Sequence, residues 1–134
     1  MSTTMPSQLA SVKRCIARVR EDYDETFLEN RTKQDAIMLN LERACKTCLD
    51  MAARFIQSQQ LGTPENSRTL FNTLVEKSVI SASLADRMNR LVAFRRTSLY
   101  EHEKLDLKVV EAIITKHLDD FREFGETLVS KSRT

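Results

Sequence analysis

An all-α fold, an antiparallel bundle of three long and two short helices, is predicted by three observations on the sequence. Only two glycines (Gly62, Gly125) and two prolines (Pro6, Pro64) punctuate 134 residues, far fewer than the tight turns of a sheet protein require. Apolar residues recur every three or four positions over long stretches, as on helices with one buried face. Side chains that cap helices stand just ahead of several of these stretches.

Residues 1–7 are polar and are expected to form a flexible N-terminus, followed by a single helical domain over 8–131. The first long helix is expected from Gln8 to about Glu29, with Leu9, Val12, Ile16, Val19, Tyr23 and Phe27 inward. Thr32 and Asp35 form a variant capping box that opens a second long helix to about Gln60, burying Ile37, Leu41, Ala44, Cys45, Cys48, Leu49, Ala52 and Ile56. Gly62 and Pro64 are expected to end it. At 1.5 Å per residue such a helix is roughly 40 Å long, more than one small domain covers, which hints at a dimer. Ser67 is placed to cap a short helix with Leu70, Phe71, Leu74 and Val75, and Ser81 another with Leu84, Met88, Leu91, Val92 and Phe94. Asp106 caps the last long helix, whose inward face is Val109, Val110, Ile113, Ile114, Leu118, Phe121, Phe124 and Leu128.

The charged fraction is 30% and the net charge +2, so a surface for polyanions has to be local rather than global. No apolar run approaches the ~18 residues of a membrane span, and Met1–Ser7 lacks the pattern of a signal peptide. The expected location is the cytosol. Three cysteines without an export signal favour reduced thiols. Cys45-x-x-Cys48 lies inside a helical pattern with no second pair of ligands and no preceding strand, so packing is its expected role rather than zinc or redox chemistry.

The chemistry-bearing segment is Phe94-Arg95-Arg96-Thr97-Ser98-Leu99-Tyr100-Glu101-His102. It places two guanidinium groups, a phenol and an imidazole at a helix-to-helix junction. Guanidinium holds phosphate bidentately, and imidazole exchanges protons near neutrality. The same residues allow a structural reading, in which Arg95 and Arg96 favour the helix dipole and pair with Glu101 or Glu103, and His102 is an ordinary surface residue. His117, on the helix with Ile113, Ile114 and Leu118, is read as a groove or surface residue. A di-metal carboxylate bundle needs Glu-x-x-His pairs, which are absent. The segment Leu74–Val92 reads superficially like a helix-turn-helix, but Ala82, Ser83, Leu84 and Asp86 offer little to phosphates or base edges.

A helical bundle with Arg96-x(5)-His102 and Arg95-x(6)-His102 before its final helix resembles the HEPN superfamily, whose ribonucleases share an Arg-x(4 to 6)-His motif. The segments Asp35–Cys45, Gln60-Leu61-Gly62-Thr63-Pro64 and Leu105-Asp106-Leu107 look like the HepT toxins, over nearly all of residues 9–128. The resemblance implies the toxin half of a toxin–antitoxin pair, a homodimeric, metal-independent endoribonuclease without a cofactor. It further implies inhibition by the nucleotidyltransferase MntA, which adds AMP to a tyrosine beside the active site. Carried onto this chain, the site is Arg95, Arg96, His102 and Tyr100, with Tyr100 the tyrosine available for AMP. A catalytically silenced module that binds RNA or the antitoxin is the alternative.

The chain departs from the family's usual order of Arg, a polar residue, three residues, His, one residue, Tyr. With Phe94-Arg95 and Leu105-Asp106-Leu107 as anchors, Tyr100 falls on the His position and His102 on the Tyr position. In a continuous helix, a two-residue shift turns a side chain by about 200°, which would carry His102 away from the side where the family's His works. A phenol, with an ordinary pKa near ~10, is a poor base in the vacated place but still donates a hydrogen bond.

Overall fold

The computed structural model describes residues 4–132. These form six α-helices and no strand: α1 Met5–Asp22, α2 Arg31–Ser58, α3 Ser67–Glu76, α4 Ala82–Tyr100, α5 Leu107–Lys116 and α6 Leu118–Ser132. The all-helical expectation holds, while several boundaries move for local reasons. Thr4 and Ser7 form a reciprocal capping box, so α1 starts at Met5 rather than Gln8. Whatever was expected of residues 1–3 lies outside the described residues. The first helix also stops early, at Asp22. Asp24 accepts hydrogen bonds from the backbone N–H and the hydroxyl of Thr26, a local alternative to the helical ladder. An ion pair with Lys33, followed by the Thr26 bonds, holds the Asp24 carboxyl down at about 2. Phe27 is still buried, but from a 3₁₀ turn spanning Phe27–Glu29.

The caps of α2 and α3 are asparagines rather than the hydroxyl residues expected from sequence. Asn30 accepts from the Lys33 N–H and Asn66 from the Thr69 N–H, so neither Thr32 nor Ser67 is a cap. The end of α2 is made by Gln60, not by Gly62: Gln60 takes φ 56° while the Leu61 N–H reaches back to Ile56 O at 2.9 Å. Leu61 then packs on the core, which offsets the modest cost of a left-handed side-chain residue.

Two larger differences concern α4 and the C-terminal region. The helix opened by Ser81 is long, because it continues through Arg95 and Arg96 to Tyr100. The expected last long helix is two helices, α5 and α6, broken at His117. The apolar period runs through the break because both pieces bury residues on the same side, except Val109, expected inward but exposed beside the buried Val110. At the break, Asp120 is 7% exposed; it accepts from Arg87 of α4 and sits 3.0 Å from His117 Nδ1. A buried carboxylate held by two partners fixes a bend that periodicity alone does not signal.

Helices α1, α2 and α6 pack on one another, and α4 lies against α2 and α6 with α3 beside it. Their shared core contains Phe71, Phe121 and Phe124, each fully buried. Cys45 and Cys48 belong to that core, their thiols directed at Leu91 O and Phe121 O, and all three cysteines are free thiols. Burial pushes Cys45 up to about 12 and Cys48 well above the ordinary thiol value. Thiolate is the reactive form, so iodoacetamide at pH 8 should alkylate Cys45 and Cys48 far more slowly than an open thiol. Mass spectrometry should find Cys45 and Cys48 modified only after denaturant is added; rapid labelling of the folded chain would contradict this packing. No described helix is long and apolar enough to cross a membrane.

Candidate active site at the end of α4

The C-terminal half of α4 carries the candidate residues Arg95, Arg96 and Tyr100. Phe94 is 6% exposed and anchors the helix in the core, leaving the next residues at its edge. Arg95 is half-buried, and its Nε is buried without a hydrogen-bond partner. An orphaned buried donor costs about 1–3 kcal/mol, and a bound anion is one partner that would satisfy it. Arg96 is exposed. Neither arginine has a carboxylate within ion-pair distance among the described residues; Glu101 pairs instead with Lys104 at 3.5 Å. The pairing of Arg95 or Arg96 with Glu101 or Glu103 that the structural reading calls for is therefore not formed.

Tyr100 is the last residue of α4 and is 77% exposed. It lies four residues from Arg96, so the two side chains share one face of the final turn. At Glu101 the chain leaves helical geometry (φ −135°, ψ 48°), and its N–H closes on Thr97 O. His102 then opens a 3₁₀ turn, His102–Lys104, and is exposed. α4 ends two residues before His102, so the 200° turn of a continuous helix does not carry His102 to the opposite side. The His/Tyr exchange is thus distributed across a bend, with Tyr100 on the helix and His102 beyond it. Leu105 packs back on the core, and Asp106 accepts from the Lys108 N–H to start α5 as expected.

Two residues to which the sequence reading assigned no role belong to this region. Ser98, 6% exposed, donates its hydroxyl to the Glu42 carboxylate of α2. Ser98 lies three residues from Arg95, on the same face of α4, and the charges of both Arg95 and Glu42 are felt at Cys45. A serine inside an arginine-rich helix end is the one local hint; its partner is 56 positions away in the chain. His117 lies apart, lining a cavity of about 180 Å³ between α4 and α5 with Leu91, Phe94 and Ile113.

A helical bundle whose α4 ends in unpaired guanidinium groups, an exposed phenol and, just beyond, an exposed imidazole is a HEPN-type domain. The chain belongs to the HepT-like ribonuclease family, whose model (Ribonuclease HepT-like) matches residues 9–128. It is 33% identical over 130 residues to the mRNA nuclease HepT of Shewanella oneidensis, covering 96% of this chain and 98% of that protein. Its structure is similar to a tri-AMPylated Shewanella oneidensis HEPN toxin in complex with MNT antitoxin (TM-score 0.91, 32% identity, 97% of this chain and 99% of that one). A toxin–antitoxin with AMP-PNP matches at TM-score 0.89 and 32% identity, over 96% of this chain and 99% of that one.

Proposed function

We propose that this chain is the toxin of a toxin–antitoxin pair, a metal-independent endoribonuclease that acts in the cytosol as a homodimer. The observation that carries the reading is the Arg95 guanidinium, with a buried nitrogen left unpartnered beside an equally unpaired Arg96. In this reading His102 takes the proton of an RNA 2′-OH, and the 2′ oxygen forms a bond to the adjacent phosphorus. Arg95 and Arg96 stabilise the charge gathering on the phosphoryl oxygens. The bond from phosphorus to the 5′ oxygen breaks, the leaving oxygen takes a proton from Tyr100, water or the second protomer, and a 2′,3′-cyclic phosphate remains. A dimer is supported by α2, whose 28 residues extend about 42 Å, and by exposed apolar side chains at Leu39, Leu99 and Val109. RNA incubated with the chain in chelator should yield fragments ending in 2′,3′-cyclic phosphate; intact RNA would refute the nuclease.

An MntA-type nucleotidyltransferase is the proposed antitoxin, and Tyr100 its target. The chain has two tyrosines. Tyr23 is the poorer acceptor, since its hydroxyl donates to Glu111 at 2.8 Å, whereas Tyr100 is open to solvent. AMP on Tyr100 adds bulk and a phosphate charge on the face it shares with Arg96, opposing RNA binding. Mass spectrometry after incubation with the antitoxin and ATP should place the adduct on Tyr100; an adduct confined to Tyr23 would refute the assignment.

The exchanged order of Tyr100 and His102 favours a second reading, a silenced HEPN module that binds RNA or the antitoxin without cutting. Its RNA affinity would persist, and His102→Ala would change nothing.

A further inference from the structure

A second cationic region lies on the other flank of α2. An open groove of about 340 Å³ runs between α1 and α2, lined by Arg14, Arg18, Arg43, Lys46, Ser11 and Thr47, among others. No carboxylate lines it. Lys46 pairs with Asp50 at 2.9 Å, but the side chains of Arg14, Arg18 and Arg43 make no hydrogen bond or ion pair among the described residues, and all three are exposed. They converge on one place: the Cys15 thiol, raised by burial, feels the opposing charge of Arg43, Arg14 and Arg18. With a net charge of only +2 on the chain, three unpaired guanidinium groups around one groove are a local concentration rather than a share of a generally basic surface.

We propose that this α1–α2 groove is a second RNA contact, which holds backbone phosphates of a single strand whose scissile phosphate sits at Arg95 and Arg96. The proposal rests on the nuclease reading above and extends it. Its lining is made of donors, and guanidinium matches phosphate oxygens in a bidentate fork. Arginine is also common at protein–protein interfaces, but there it comes with aromatic side chains and methionine, and neither lines this groove. Arg14 and Arg18 stand one turn apart on α1, about 6 Å along its axis, so they present two points of contact rather than one. The groove and the motif share α2 as a wall: Glu42 and Cys45 face α4 through Ser98 and Leu91, while Arg43 and Thr47 face α1. A helix is about 10 Å across, farther than the two phosphates of a trinucleotide lie apart, whereas a longer strand leaving the motif crosses α2 and enters the groove.

The test uses a 2′-O-methylated RNA 20-mer, which binds but has no 2′-OH to attack, and an unmodified trinucleotide too short to span both places. The variant is Arg14→Ala, Arg18→Ala and Arg43→Ala together. Because these residues are exposed and unpaired, the fold should survive, as circular dichroism will report. Should the triple variant not fold, the three single substitutions carry the same test, each with a third of the effect on the salt slope. Expected is at least tenfold weaker binding of the 20-mer. The slope of log affinity against log salt should fall by about 2, at ~0.7 per phosphate contact for single strands. Trinucleotide cleavage should keep its kcat. Unchanged 20-mer affinity and slope would overturn the groove while leaving the nuclease intact, provided the parent chain cuts RNA. Groove-dependent binding by a parent chain that never cuts would sink the nuclease reading and leave the groove standing. Loss of antitoxin binding with RNA affinity retained would assign the groove to a protein partner and overturn the proposal, as would a parent chain that does not bind the 20-mer.

Discussion

Replacing His102 with alanine is expected to lower RNA cleavage about 10²- to 10⁴-fold, the usual contribution of a positioned general base. Affinity for uncleavable RNA should stay within about twofold. His102 is the only imidazole at the junction, and the chain's other histidine, His117, is occupied by Asp120 at the break between α5 and α6. The bend at Glu101 is what makes this expectation reasonable. Had α4 continued through His102, the exchange with Tyr100 would have turned the imidazole to the wrong side. As the chain actually leaves the helix at Glu101, the imidazole's direction is set by the 3₁₀ turn. The decisive control is the double substitution Tyr100→His plus His102→Tyr, which restores the family order. Comparable cutting by the parent and the double variant supports His102 as the base in its present place. Cutting by the double variant alone would mean that the chain is silenced, with fold and partner binding retained.

Phe124→Ala should cost about 3–5 kcal/mol of stability, the range for emptying a large aromatic site in a core. Phe124 is fully buried and meets Phe71 edge-on, with ring centroids 5.5 Å apart and an interplanar angle of 85°. This contact ties α3 to α6, and its loss leaves a cavity in the shared core. Domains are stable by only about 5–15 kcal/mol, so the melting temperature should drop by roughly 10–20 °C. Thermal circular dichroism measures it. A loss below about 1 kcal/mol would show that α3 and α6 do not pack as described.

Much of the fold was legible because helix formation is governed by short-range patterns. The inward faces of α1, α2 and α4 were correct in most positions, and Cys45 and Cys48 were rightly read as core residues. Cap assignments were less secure, since Thr32 and Ser67 each stand one or two positions from an asparagine that does the same work. Local propensity separates such neighbours by only tenths of a kcal/mol. The break at His117 was invisible for a different reason: the apolar period is uninterrupted, and what bends the chain is a carboxylate reaching Arg87 on another helix.

The sequence by itself determined the helical class, the buried faces and the reactive inventory of the junction: two guanidinium groups, a phenol and an imidazole in nine residues. Periodicity and side-chain chemistry are local properties, so a linear reading captures them. The tertiary structure alone decided where α4 ends relative to Tyr100 and His102. It also decided which arginines are left without a carboxylate, the meeting of Ser98 with Glu42, and the convergence of Arg14 and Arg18 with Arg43 across two helices. These depend on which helices pack together and at what rotation. That choice is made by burial summed over the whole core, and no window of sequence contains it.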